Sequence, residues 1–360
     1  MIRMIVAIVL AMLAGAGPLG AAPLIINSGD PSALPPFSLP AYTRALEQGG
    51  RAIHVPVVMS KDEVLYVLDE QFIAADHSLS DAHADTGNQL EASFAGNYTS
   101  TELDAYTWPT GLRPPYLREV LSVVALFEQE TGEPVTLFIE LKNGWQHRPF
   151  GRELVPVAMA ELSSFSYPEN RRRLIVGSYD ADSVTELSKQ SAYPPEIVAI
   201  VQLIGANDGS QVMVREPTGW GGYNFDWMVT RHGLKALSSY VDMLGLSATT
   251  LSSSTSSYRW STYLEDSQLL GVGVLALDAD AMLGEAPRPK TIIKTIVNDL
   301  ATELTPAAIL TAYDRIVRQA LDPNASAPEP GAEPGGSEIE DILRRLNTPG
   351  ANYDNLPTPQ

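Results

Sequence analysis

The chain has 360 residues, with 43 acidic against 24 basic side chains and a formal charge of −19. Nucleic acid and anionic membrane surfaces are poor partners for so acidic a protein, because both reward clustered Lys and Arg. It has no cysteine, which rules out thiol nucleophiles, Cys-ligated metals and disulfides, and leaves a buried apolar core as the source of stability.

The first residues, Met1-Ile-Arg-Met-Ile-Val-Ala-Ile-Val-Leu, carry one positive charge at Arg3 and then an apolar run that yields to Gly and Pro by residue 17. That run is shorter than the ~20 residues of a membrane span, and Leu19-Gly-Ala-Ala22 supplies small residues for a signal peptidase. Residues 1–22 therefore read as a signal peptide, cut near Ala21 or Ala22, and the expected location is periplasmic or secreted. No other segment is long and apolar enough to span a bilayer.

Residues 23–321 read as one domain. Strand-like runs recur at Leu24 to Asn27, Ala52 to Val58, Val64 to Leu68, Val135 to Leu141, Leu174 to Tyr179, Ile197 to Ile204 and Gly271 to Leu277. Between several of them lie helical patterns at Leu39 to Glu47, Tyr116 to Glu130, Glu153 to Ser163, Ala181 to Lys189 and Leu234 to Leu244. The alternation predicts an α/β fold with a mostly parallel sheet, and the nearly continuous apolar runs suit strands covered on both faces. The number of runs fits a (β/α)8 TIM-type barrel better than an open doubly wound sheet, and no Gly-rich phosphate loop follows any strand. Residues 76–115 are polar and irregular, the mark of a lid or an insertion. Residues 322–360 are rich in Pro, Gly and Glu, with seven acids and two bases, and read as a disordered tail. One short helix at 337–346 opens on the capping-box pattern Ser337-Glu338-Ile339-Glu340 and offers a protein partner a docking element.

In a barrel, reactive groups lie at the C-terminal ends of strands and in the loops that follow. That directs attention to Asn27 and Ser28, His54, Asp69 and Glu70, Glu140 and Lys142, Tyr179, and Gln202. Glu140 and Lys142 are two apart on one strand and share a face. The carboxylate there suits a hard cation and the ammonium a phosphate or oxyanion, but the same spacing describes a buried ion pair, which is the commoner case. His54 alone on an apolar strand reads more often as a hydrogen-bonded core residue than as a metal ligand. No Ser-His-Asp arrangement or Gly-x-Ser-x-Gly elbow is present.

Taken in order, Leu34-Pro35, Leu39-Pro-Ala-Tyr42, Ala45-Leu-Glu-Gln-Gly49, Ser60-Lys-Asp62, Phe138-Ile-Glu-Leu-Lys142, Tyr179-Asp-Ala-Asp182, Val201-Gln-Leu-Ile204 and Tyr223-Asn-Phe-Asp-Trp-Met228 resemble the text of the glycerophosphodiester phosphodiesterases, and most closely the periplasmic bacterial type. Trp145-Gln-His147 and the last of these motifs belong to that type. The resemblance implies a TIM-type barrel, a divalent metal (Ca2+ or Mg2+), two catalytic histidines, and hydrolysis of glycerophosphodiesters to an alcohol and glycerol 3-phosphate.

Against the family's pattern, the first histidine and arginine fall on Asn27 and Ser28, a Glu-x-Asp metal pair falls on His54-Val55-Pro56, the second histidine falls on Asp69, and a Glu-Asn-Thr falls on Pro36-Phe37-Ser38. Glu140 and His54 remain for a metal, and Ser28, Lys142, Gln202, Tyr179 and Trp145 remain for a substrate. The resemblance with these replacements implies a pseudoenzyme: a periplasmic binding or regulatory protein that holds a small phosphodiester or polyol, with the metal weak or absent. The alternative is an active metal-dependent phosphoric diester hydrolase with a site rebuilt from His54, Asp69, Glu70 and Glu140, and a third reading is a structural protein that docks through its tail.

Overall fold

A computed structural model describes residues 24–26, 34–69, 94–108, 110–165, 174–190, 197–216, 219–247, 260–277 and 308–311. The proposed signal peptide, the tail and its short helix, Asn27, Ser28 and Glu70 lie outside the described residues. Two compact units divide them: one holds the described residues from 34 to 165, the other those of 24–26 and 174–311.

The first unit opens on helix α1, Leu39–Glu47, whose start is set by Ser38: its hydroxyl accepts from the Ala41 amide at 3.4 Å, and Pro40 occupies the first turn, where no amide is required. Strand β2, Ala52–Met59, follows and is buried along its whole length. Strand β3, Leu65–Val67, pairs antiparallel with β2, and β4, Thr136–Leu141, pairs parallel with it on the other side. The third strand-like run is thus an exception to the predicted parallel order. The cause is local, since a tight turn over Lys61–Glu63, with the Val64 amide bound to Ser60 Oγ at 2.9 Å, is far too short for a parallel crossover. In the β2–β4 ladder the amides of Thr136 and Lys142 donate to the carbonyls of Arg51 and Val57. Odd-numbered residues of β2 therefore face β4, and Pro56 removes no rung from that ladder.

Of the long polar loop, the described part from 94 onward has a core of its own. Helix α2, Ser100–Ala105, starts with a complete capping box between Thr99 and Glu102, and Tyr98, Leu103, Tyr106 and Trp108 bury themselves against Tyr66 and Leu68. Asp104 ties the cluster down by accepting from the hydroxyls of Tyr66 at 2.9 Å and Tyr116 at 2.7 Å. Helix α3, Leu117–Thr131, follows; its Glu119 accepts from the Tyr116 amide and holds both Arg113 guanidinium nitrogens, and Gly132 in left-handed conformation ends it. Helices α4, Gly144–His147, and α5, Leu154–Ser164, complete the unit.

In the second unit the order along the chain is β5 Leu174–Ser178, α6 Ala181–Lys189, β6 Ile197–Ile204, the hairpin β7 Met213–Glu216 and β8 Gly219–Gly222, α7 Arg231–Leu237, β9 Met243–Ser247, α8 Trp260–Leu270, β10 Gly273–Leu277 and β11 Ala308–Thr311. Strand β1, Leu24–Ile26, pairs with β11. The neighbours β5–β6, β6–β9, β9–β10, β10–β11 and β11–β1 are all parallel, as predicted for an α/β fold.

The predicted helix over Leu234 to Leu244 is two elements: α7 ends at Leu237, and Met243 opens strand β9. Leu-rich spacing suits either state, and tertiary bonds decide it. Asp242 accepts from the Ile200 amide through its side chain at 2.9 Å and donates its own amide to Ile200 O at 3.0 Å, which draws the chain beside β6. Gly233 in α7 shows how closely the next turn packs, because a Cβ there would lie 1.8 Å from the Trp227 carbonyl oxygen. That oxygen is held by Thr230 through both its amide and its hydroxyl. Gly233→Ala should therefore lower stability by about 1–3 kcal/mol or more, read as a fall in melting temperature; an unchanged Tm would show that the turn yields freely.

Candidate functional site

Register places the chemistry of the first unit. His54 lies opposite Phe138 and Pro56 opposite Glu140 in the β2–β4 ladder, and alternation along each strand puts residues 54, 56, 138 and 140 on one face. The His54 ring stacks on Phe138 with centroids 5.2 Å apart and meets the edge of Phe37 at 6.2 Å. Its backbone is braced from α1, whose fully buried Tyr42 donates its hydroxyl to the His54 carbonyl at 2.8 Å. Phe37 itself adopts a left-handed φ of 61°, a conformation that disfavours a bulky side chain.

From this frame His54 Nε2 reaches Glu140 Oε2 at 2.8 Å, with both residues buried. The other carboxylate oxygen of Glu140 lies 3.8 Å from Lys142 Nζ, and that ammonium lies 3.4 Å from Asp69 Oδ2. Four residues flagged in the sequence thus form one charged chain: Asp69, Lys142, Glu140 and His54. Burial alone would push the Glu140 carboxyl up; the charge of Lys142 and the hydrogen bond from His54 outweigh it and hold the carboxyl down at about 2. Glu140 is therefore an anion whose two oxygens face an ammonium and an imidazole. The spacing alone left this pair open between a cation site and an ion pair; His54, eighty-six residues away in sequence, completes the arrangement.

In the second unit Gln202 is fully buried opposite Ser178 in the β5–β6 ladder. Its Nε2 lies 3.3 Å from Ser178 O, 3.1 Å from Tyr179 O and 2.8 Å from Leu203 O. All three neighbours are acceptors, so the amide cannot be turned over. Its donor end ties the two strands together, and its Oε1 is buried without a partner among the described residues. Tyr179 is half-buried just after β5, and Asp180 caps α6 by accepting from the Asp182 amide and the Ser183 hydroxyl.

Trp145 and His147 ride on α4, which begins directly after Asn143 in left-handed conformation. In the sequence His147 stands out only as part of Trp145-Gln-His147. It is 1% exposed, with its ring 4.6 Å from that of Phe94 and its Nδ1 unpartnered among the described residues. Burial, reinforced by the Arg152 charge, lowers its pKa to about 3. Nothing in its sequence neighbourhood signals this, because the group that covers it comes from residues 94–96.

No protein-family model matches the chain. It is 23% identical over 246 residues to the glycerophosphodiester phosphodiesterase of Treponema pallidum (strain Nichols), spanning 62% of this chain and 69% of that one. It is 24% identical over 143 residues to the enzyme of the same name from Haemophilus influenzae, where only 38% of either chain is spanned. Among solved structures it is similar to an Oleispira antarctica phosphodiesterase in complex with the product sn-glycerol-3-phosphate, with TM-score 0.55 and 15% identity over 83% of this chain and 96% of that one. It is also similar to a glycerophosphodiester phosphodiesterase from Parabacteroides distasonis, with TM-score 0.54 and 15% identity over 86% and 100%. The fold class is thereby an α/β barrel of the TIM type.

Phosphodiesterases of this family use a divalent metal. Among the described residues no group of three or more His, Asp or Glu side chains stands close enough to hold one. Glu140 and His54 supply two donors, and an ammonium rather than a third donor stands at the free side of Glu140. A Ca2+ or Mg2+ ion wants six or more oxygen ligands, and the described residues do not fit it. The chain is nevertheless similar in sequence to two glycerophosphodiester phosphodiesterases and shares the barrel fold of solved members of that family.

Proposed function

We propose that this protein is an exported binding or regulatory member of the phosphodiesterase family that holds a small phosphodiester or polyol without cleaving it. The observation that carries this reading is the state of Glu140, whose oxygens are engaged by His54 and Lys142. Cleavage needs a proton for the leaving alkoxide, an activated nucleophile and a cation to offset phosphate charge. The family's two histidine positions hold Asn27 and Asp69, and its arginine position holds Ser28, which cannot neutralise phosphate. Losing one acid or base group costs roughly 10² to 10⁴ in rate, and such losses do not simply add.

A second reading, an active metal-dependent hydrolase with a rebuilt site, draws on the same contact. A histidine oriented by a carboxylate at 2.8 Å has the geometry of a general base.

The two separate in one assay. Purified protein with glycerophosphocholine and Ca2+, Mg2+, Mn2+ or Zn2+ in turn is followed by 31P NMR for glycerol 3-phosphate. The expected result is no release above the protein-free control, while calorimetry with the intact diester registers binding. Turnover at ordinary enzyme rates that Glu140→Gln abolishes would establish the hydrolase instead.

A further inference from the structure

On the side of the second unit where parallel strands β5 and β6 end, the chain after β6 makes an aromatic turn over residues 223–227. Four hydrogen bonds clamp it. Asn207 Oδ1 accepts from the Phe225 amide at 2.7 Å, Asn207 Nδ2 donates to Asp226 Oδ1 at 2.8 Å, Asn224 Oδ1 accepts from the Asp226 amide at 2.8 Å, and Trp227 Nε1 donates to the Tyr223 hydroxyl at 3.1 Å. The approach behind it is so close that a Cβ on Gly222 would lie 2.7 Å from Asn207 O.

This clamp keeps aromatic surface in water. Trp227 is 38% exposed, and Trp220 in the adjoining hairpin 41%; the Tyr223 ring is edge-on to Phe225 at 4.8 Å. Rings so exposed forgo the free energy that burial would bring, although the rigid turn holds them there. Because the Trp227 N–H is already given to Tyr223, what the indole offers a ligand is its π face.

The surrounding charge is negative. Asp226 is exposed beside Trp227 in sequence, and Asp182 is exposed in the first turn of α6. Burial raises the pKa of the Tyr223 hydroxyl, and the charges of Asp182 and Asp180 raise it further, which places those carboxylates within electrostatic reach of the ring. The basic residue next along the chain, Arg231, is turned to Asp266 at 3.3 Å. A phosphate is repelled by such a rim, and a cation is drawn to it. Among cations, one wrapped in methyl groups is weakly hydrated and needs no hydrogen-bond acceptor, which suits a π face better than an ammonium with three N–H bonds.

We propose that this turn, with Trp227 and Tyr223 as platform and Asp226 and Asp182 as rim, binds a quaternary ammonium group of the kind choline carries. That the cation is the alcohol end of a held phosphodiester rests on the function proposed above; the cation site itself does not.

The test uses the full mature chain and the indole N–H signals of its five tryptophans in 1H–15N spectra, with that of Trp227 identified by its loss in Trp227→Leu. Tetramethylammonium chloride, against NaCl at equal ionic strength, should shift the Trp227 signal saturably at millimolar concentration. Its neutral counterpart, 3,3-dimethylbutan-1-ol, should not, and Asp182→Asn should weaken the response by about threefold. No shift, an equal shift with the neutral alcohol, or an unweakened response in Asp182→Asn would each overturn the proposal. None of these readouts uses a phosphate or a metal, so this site and the diester-binding reading can fail separately.

Discussion

Replacing His54 by Glu and Pro56 by Asp together should yield a protein whose melting temperature rises when Ca2+ or Mg2+ is added, where the parent's does not move. The register provides the reason. Positions 54 and 56 alternate onto the face that Glu140 shares from the neighbouring strand, with 56 directly opposite 140, so the two substitutions gather three carboxylates on one face of two parallel strands. Pro56 points away from the β4 ladder, and an amide N–H restored there disturbs no rung of it. Without metal the variant should be several kcal/mol less stable than the parent, since it loses the His54 partner of a buried anion and adds like charges beside Lys142. An ion present at a hundred times its Kd then returns about 2.7 kcal/mol.

His54→Ala alone should cost about 3–5 kcal/mol and gain no metal response, because it breaks a buried pair without supplying a ligand. Thermal melts of the three proteins in EDTA and in millimolar Ca2+ decide the matter. A folded double variant indifferent to metal would refute the shared-face geometry. A parent stabilised by Ca2+ would show that Glu140 is open to a cation after all.

The second large effect is a loss of stability in acid that traces to His147. Its folded pKa, about 3, lies below the value of 6.5 expected for an open imidazole. Between these values the unfolded chain binds a proton that the folded protein refuses. The stability His147 contributes is therefore fully present above pH 6.5 and falls by about 1.4 kcal/mol for each unit of pH below it, down to about pH 3. Arg152, whose guanidinium donates to the Gly96 carbonyl at 2.8 Å, adds its positive charge, and the Phe94 ring packs against the imidazole. Glu140 does not confuse the upper part of this window, since its contribution is complete above pH 4.5 and fades only below that, toward pH 2. Denaturant melts of the parent and His147→Leu should accordingly diverge between pH 6.5 and 4.5, with the variant losing less stability. Parallel curves in that range would mean that the imidazole is hydrated and protonates in place.

The sequence by itself determined the elements whose pattern is strong and local. Ala52 to Val58, Ile197 to Ile204 and Ala181 to Lys189 carry apolar runs or caps that one backbone state satisfies, and the structure places them within a residue of their predicted bounds. The family likeness was legible for the same reason, because it rests on short contiguous text such as Phe138-Ile-Glu-Leu-Lys142. Short segments whose state depends on a distant partner were not legible. Met243–Ser247 is a strand because Asp242 is drawn to Ile200, β3 runs antiparallel because a three-residue turn permits nothing else, and residues 94–108 and 110–115 pack because Tyr66 and Tyr116 share Asp104.

The candidate site divides in the same way. Glu140 and Lys142 on one face follow from a period of two along a strand. That His54 is the partner of Glu140, and that His147 is buried against Phe94, could be decided only by tertiary structure. Register between strands eighty residues apart, and the covering of one loop by another, arise from packing that no local pattern records.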